Sequence, residues 1–155
     1  YHASLVRMLT RRTGDADRAE EIAQEVFARA VVAPPRNPRP WLFAVALNLV
    51  REEGRRDVRQ QRRLMLYKAE QPAAFEAADE AMDRGDRQAA VRAALDLLSP
   101  RDRDALLLKA EGFSYDDIAA TLGLARGAVG TTLSRARQKL VEAYRAGGGR
   151  HDIAS

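Results

Sequence analysis

The side chains with chemistry to offer are grouped by charge and do not form a catalytic constellation. Arginines crowd residues 51–63 and 126–150, while between them Glu70, Glu76, Asp79, Glu80, Asp83 and Asp86 stand against a single Arg84. Clustered guanidinium groups suit phosphates and base edges, so the two basic blocks point to an anionic partner. The sharpest case lies between residues 114 and 140. Ser114-Tyr115-Asp116-Asp117 reads as a helix N-cap followed by acids, Ile118, Ala119 and Leu122 make a short apolar stripe, and Gly123 supplies a turn. A longer helix with basic exposed positions then starts at Arg126, with Val129, Leu133, Ala136, Leu140 and Val141 facing inward. A short helix, a tight turn and a long basic helix are what a protein needs to lay a recognition helix in the DNA major groove. An ordinary helical hairpin with a solvated basic face shares this grammar and stays open at this level.

Other chemistries are excluded by what the chain lacks. It has no phosphate-binding G-x-x-x-x-G-K-[ST] loop, no nucleophile and base that the sequence places together, and no cysteine. His2 and His151 lie far apart and are expected to be exposed and inert. No catalytic residue, no metal and no cofactor is therefore expected. The formal charge of +4 and pI near 9.8 favour an anionic partner only weakly. No stretch reaches the roughly 20 uncharged apolar residues of a membrane span and no signal peptide is recognisable, so a cytoplasmic location is expected.

The elements that must position these groups are all helical, since charged residues make up 31% of the chain and the apolar 46% recurs at helical spacing. Leu5, Met8 and Leu9 mark a first helix that Thr13-Gly14-Asp15 ends. Asp15 or Asp17 caps a second, whose inner face is Ile22, Val26, Phe27 and Ala30 and whose outer face is acidic. Pro34, Pro35, Pro38 and Pro40 interrupt, and Pro40 at the first helical position restarts a third helix with Trp41, Leu42, Val45 and Leu49 as its buried stripe. From Asp86, Val91, Ala94, Leu95 and Leu98 recover the periodicity. Ser99-Pro100-Arg101-Asp102 then caps another helix, with Leu106, Leu107 and Ala110 inward. Two small helical domains are expected, 1–68 and 86–146, joined by a flexible acidic linker at 69–85 and followed by a tail at 147–155.

Three segments in this order resemble the sigma-70 family of RNA polymerase sigma factors. SPRDRDALLLKAEGFSYDDIAATLGLARGAVGTTLSRARQKL (99–140) is similar to region 4, DADRAEEIAQEVFARAV (15–31) to region 2.2, and PRPWLFAVALNLVREEGRR (38–56) to regions 2.3 and 2.4. Since only a short acidic linker separates them, the layout resembles the extracytoplasmic-function group, with Tyr1 falling inside what would be region 2.1.

The resemblance implies a promoter-specificity subunit with no catalysis of its own. Asp17, Glu20, Glu21, Gln24 and Glu25 would dock on the clamp of the largest β-type polymerase subunit, with the flap as a further polymerase contact. Arg36, Asn37, Arg39, Trp41 and Asn48 would meet the minus-ten bases, and Arg51, Arg55 and Arg56 the single-strand phosphates. Arg126, Thr131, Ser134 and Arg135 would read the minus-thirty-five element, with Ser114, Arg137 and Lys139 on its phosphates. The family commonly has basic residues where this chain has Gly130 and Thr132. An anti-sigma protein is a further implied partner. The rival functions are a helix-turn-helix regulator that acts without polymerase and a generic helical adaptor. A simple regulator needs neither the acidic 17–25 face nor the PRPW loop.

Overall fold

A computed structural model of the chain describes residues 1–67 and 83–147. Among the described residues there are seven α-helices and no strand: α1 (His2–Thr13), α2 (Ala16–Val32), α3 (Pro38–Tyr67), α4 (Asp83–Asp96), α5 (Pro100–Ala110), α6 (Tyr115–Leu122) and α7 (Arg126–Ala146). Local chemistry explains most of the ends. Gly14 closes α1 in the left-handed conformation, φ 74°, with its N–H on the Thr10 carbonyl. The Asp15 carboxylate accepts from the Arg18 N–H at 3.1 Å and caps α2. Ser99 caps α5 in the same way, its hydroxyl accepting from the Asp102 N–H at 3.2 Å.

Two boundaries differ from the expected ones. Helix α3 begins at Pro38 instead of Pro40. First-turn N–H groups have no intrahelical acceptor, so prolines at positions one and three cost no hydrogen bond. Helix α4 begins at Asp83, ahead of the expected Asp86. Of the expected linker and tail, residues 69–82 and 148–155 lie outside the described residues.

Helices α1, α2 and α3 pack on one another, and α4, α5 and α6 gather around α7. The two groups also meet, α3 against α6 and α1 against α5, so one contiguous set of buried apolar side chains runs from Leu5 to Leu133. Because α3 is covered from both sides, its buried face is wider than expected and turned: Leu42, Phe43, Ala46, Leu47 and Val50 are buried, while Trp41, Val45 and Leu49 only flank them. Phe43 meets Phe113 edge-on, ring centroids 4.7 Å apart, at the centre of the contact between the groups. Burying each ring contributes on the order of 2–3 kcal/mol. Val91, Ala110 and Val141, expected inward, are exposed, because α4, α5 and α7 bury narrower faces near these points. His2 is exposed but not inert in its contacts: it donates to Glu20 at 2.9 Å and lies 5.8 Å from the Phe27 ring. No described helix is long and apolar enough to cross a membrane.

Candidate nucleic-acid interface

The α6–turn–α7 unit is built from local signals. The Ser114 hydroxyl accepts from the Asp117 N–H at 3.1 Å, which satisfies one of the orphan donors at the start of α6. Gly123 takes the left-handed conformation, φ 67°, that any Cβ would strain, and Leu124 N–H returns to the Ala119 carbonyl at 3.0 Å. The small Ala119 lets the helices approach, over a core of Ile118, Val129 and Leu133. Arg126, at the first position of α7, pairs with Asp116 in the first turn of α6 and so ties the starts of the two helices together.

On α7, Arg126, Thr131, Ser134, Arg135, Arg137 and Lys139 are all exposed, as a recognition face requires. Thr132 is buried, so a basic residue there would not face a ligand. The Ser114 hydroxyl accepts the cap bond through a lone pair and keeps its O–H as a donor. Arg135 and Lys139, one turn apart, both reach the Asp102 carboxylate, at 3.0 and 3.5 Å. Burial alone would raise that carboxyl, but hydrogen bonds from Arg135 and Ser99 and the charges of Arg135 and Lys139 outweigh it and hold it below its ordinary value. The same hydrogen bond and charge raise Arg135.

In the N-terminal half the expected residues share the start and middle of α3. Asn48 is exposed on a helix that is otherwise apolar at this point, and Arg36, Asn37, Arg55 and Arg56 are exposed as well. Trp41 is half-buried against the core. Arg39 and Arg51 are occupied: Arg39 donates to the Glu111 carbonyl at 2.9 Å and lies 4.3 Å above the Phe113 ring, and Arg51 donates to Asp104 at 2.6 Å. On α2, Asp17, Glu21, Gln24 and Glu25 are exposed and Glu20 is half-buried. Glu21 and Glu25 pair with Arg18 and Arg29 of the same helix at 2.6 and 3.0 Å.

Four residues that sequence reading gave no such role organise this surface: Asp102, Asp104, Glu111 and Phe113. Each is buried, and each holds basic groups that come from elsewhere in the chain. Asp104, Leu108 and Glu111 follow the i, i+4, i+7 rule for one helix face, so two acids in an apolar stripe were the signal available for a buried ion-pair seam. Among the described residues no group of His, Cys, Asp or Glu could hold a metal ion.

The chain matches the family models "Sigma-70 region 2" over residues 1–63 and "Sigma-70, region 4" over residues 88–140. It is 36% identical over 135 residues to the ECF RNA polymerase sigma factor EcfG of Rhodopseudomonas palustris, a match covering 83% of this chain and 72% of that protein. It is 28% identical over 147 residues to the RNA polymerase sigma factor YlaC of Bacillus subtilis, covering 90% of this chain and 85% of that one. Among solved structures it is similar to the sigma factor RpoE in complex with the anti-sigma factor NepR from Bartonella quintana. That match has a TM-score of 0.59 and 28% identity, and covers 93% of this chain and 91% of that one.

Proposed function

The chain belongs to the extracytoplasmic-function group of the sigma-70 family, and we propose on that premise which of its side chains do the work of a sigma factor. It binds core RNA polymerase and directs promoter-specific initiation of transcription. Its own contribution is binding, positioning and base capture, with bond formation left to the polymerase.

Region 4 reads the minus-thirty-five element through α7. Arg126, Thr131, Ser134 and Arg135 meet base edges in the major groove, and Arg137, Lys139 and the N-terminus of α6 at Ser114 meet phosphate. Region 2 captures the minus-ten strand at the start of α3. Asn48 hydrogen-bonds an extruded base, Arg36, Asn37 and Arg39 line the approach with Trp41 beside them, and Arg51, Arg55 and Arg56 hold the single-strand backbone. The α2 face of Asp17, Glu20, Glu21, Gln24 and Glu25 docks on the polymerase clamp, where its negative charge favours a basic protein surface over DNA. A subunit with this task works in the cytoplasm, with the chromosome.

The observation that supports this most is the exposed polar face of α7, seated on α6 by the Ser114 cap and the Gly123 turn. The solved relative from Bartonella quintana is bound to an anti-sigma factor, and an inhibitor of that kind is inferred for this chain too. The decisive experiment is transcription from a promoter library by core polymerase with and without the chain, followed by mapping of start sites. New starts sharing two spaced elements are expected; an unchanged start map would refute the assignment.

A further inference from the structure

Helices α1 and α4 border a cleft of about 610 Å³, within the size range of small-molecule sites. Arg7 and Arg11, one turn apart on α1, line one wall, and Arg87 and Arg92 of α4 line the other. No aspartate or glutamate is among the lining residues. Glu111 holds Arg7 through Nε and Nη2 at 2.8 to 3.1 Å and Arg11 through Nη1 at 3.4 Å. Neither bond engages Nη1 of Arg7 or Nη2 of Arg11, and the two side chains keep 54% and 50% of their surface in solvent. One carboxylate thus serves both arginines of α1 and leaves each with donors for a further acceptor.

Arg92 is seated by an absence. A Cβ on Gly14 would stand 2.8 to 3.0 Å from Nη1, Cζ and Nε of Arg92, so the guanidinium occupies the space that any other residue would fill. Gly14 therefore does two things: it closes α1 with φ 74°, and it lets a cation pack against the turn at the edge of the cleft. The rest of the wall is of a different kind. Val91 and Leu95 are apolar, and Thr10 and Gln88 offer hydrogen bonds. Val91, an apolar residue expected inward, is 40% exposed, and this is one of the hollows it opens on.

Like charges gathered in a concavity focus positive potential and draw an anion. Arginine forks match phosphate oxygens, and an apolar wall with one amide suits the face and edge of a base. From Arg7 to Gly14 the cleft follows about 10 Å of helix, which is room for a short polyphosphate but too short for the roughly 4–16 nucleotides that a strand-binding groove covers. We propose that the α1–α4 cleft binds a nucleoside triphosphate, its phosphates on Arg7, Arg11, Arg87 and Arg92 and its nucleoside on Val91 and Leu95 with Gln88 at the base edge. None of these residues is among those assigned above to promoter or clamp, so the site stands or falls apart from that assignment.

Isothermal titration calorimetry of the full chain tests it with four probes: ATP, GTP, inorganic tripolyphosphate and adenosine. ATP or GTP should bind one to one at micromolar concentration, tripolyphosphate about tenfold more weakly because it leaves the apolar wall uncovered, and adenosine not measurably. Arg87→Ala/Arg92→Ala should weaken nucleotide binding about tenfold or more. Val91→Glu keeps every arginine but puts a competing carboxylate in the cleft, and should weaken it to a similar extent. Arg62→Ala/Arg63→Ala removes the same charge from exposed positions of α3 outside the cleft and should change affinity less than about twofold. Circular dichroism should show the same helix content in all three variants. Absence of one-to-one binding by both nucleotides would overturn the proposal, and so would unchanged affinity in the two cleft variants. Tripolyphosphate binding as tightly as the nucleotides would remove the nucleoside from the site, and an equal loss in the α3 variant would reduce the effect to diffuse charge; either result refutes the assignment.

Discussion

Replacing Gly130 by alanine should stabilise the protein, and replacing Gly123 by alanine should destabilise it. Gly130 lies inside α7 with an ordinary helical backbone, and a Cβ built on it would meet only Cε2 of Tyr115, at 3.5 Å, an ordinary contact distance. Nothing has to move, so the gain is the helix propensity of alanine over glycine, about 1 kcal/mol. For a chain of 155 residues this raises the melting temperature by about 2–4 °C. A Cβ at Gly123 would also find open space, but there φ is +67°, where an L side chain costs about 1–2 kcal/mol, so the melting temperature falls by a similar amount or more. Thermal unfolding followed by circular dichroism measures both variants. The two sites differ in backbone conformation and not in crowding, so a shift of the same sign at both would refute the reasoning.

Gly130→Lys adds a cation to the recognition face. Duplex promoter binding should tighten several-fold and the salt dependence steepen by about one charge, read from anisotropy across a salt series; an unchanged slope would show that the position does not face phosphate. Asp102→Asn tests the buried carboxylate by pH. Its folded pKa is lowered from 3.8, so its contribution is complete above that value and is lost as pH falls through the lowered one. Denaturant titrations should show a wild-type advantage that is flat from neutral pH to about 5 and shrinks below about 4. Glu21→Lys/Glu25→Lys turns two intrahelical ion pairs on α2 into like-charge pairs, at about 0.4–1 kcal/mol for each position, so stability falls modestly. Affinity for core polymerase, measured by fluorescence titration, should fall about tenfold or more through charge reversal. Equal affinity would move the docking face elsewhere.

What could be read directly from the sequence was set by neighbours in the chain. Asp15, Ser99 and Ser114 cap their helices because a short polar side chain three residues before an orphan N–H needs no tertiary context. Gly14 and Gly123 stop theirs for an equally local reason. The inner face of α3 was less legible. Helical periodicity locates a stripe only when one side is covered, and α3 is covered by α1 and α2 on one side and by α6 on the other. Phe43 and Phe113 then become central through each other, across a separation that no local pattern encodes.

The acids show the same division more sharply. Asp102 reads locally as a favourable charge in the first turn of α5, and it does sit there. Its carboxylate, however, reaches Arg135 thirty-three residues further along. Asp104 and Glu111 find their arginines 53 to 104 residues away. These long-range pairs alter what the basic residues mean. Arg39, Arg51, Arg126, Arg135 and Lys139 all lie on the proposed DNA faces, and each is held by an acid or a carbonyl of the protein itself. Among the described residues Arg36, Arg55, Arg56 and Arg137 are not so held. A random phosphate must therefore displace an internal acceptor before it gains most of these contacts, which lowers non-specific affinity. A promoter that offers base edges and phosphates together meets the same cost with more to gain. Internal pairing thus lowers both affinities by the same cost and leaves the difference between right and wrong DNA to the base edges, so wrong DNA falls below useful occupancy first.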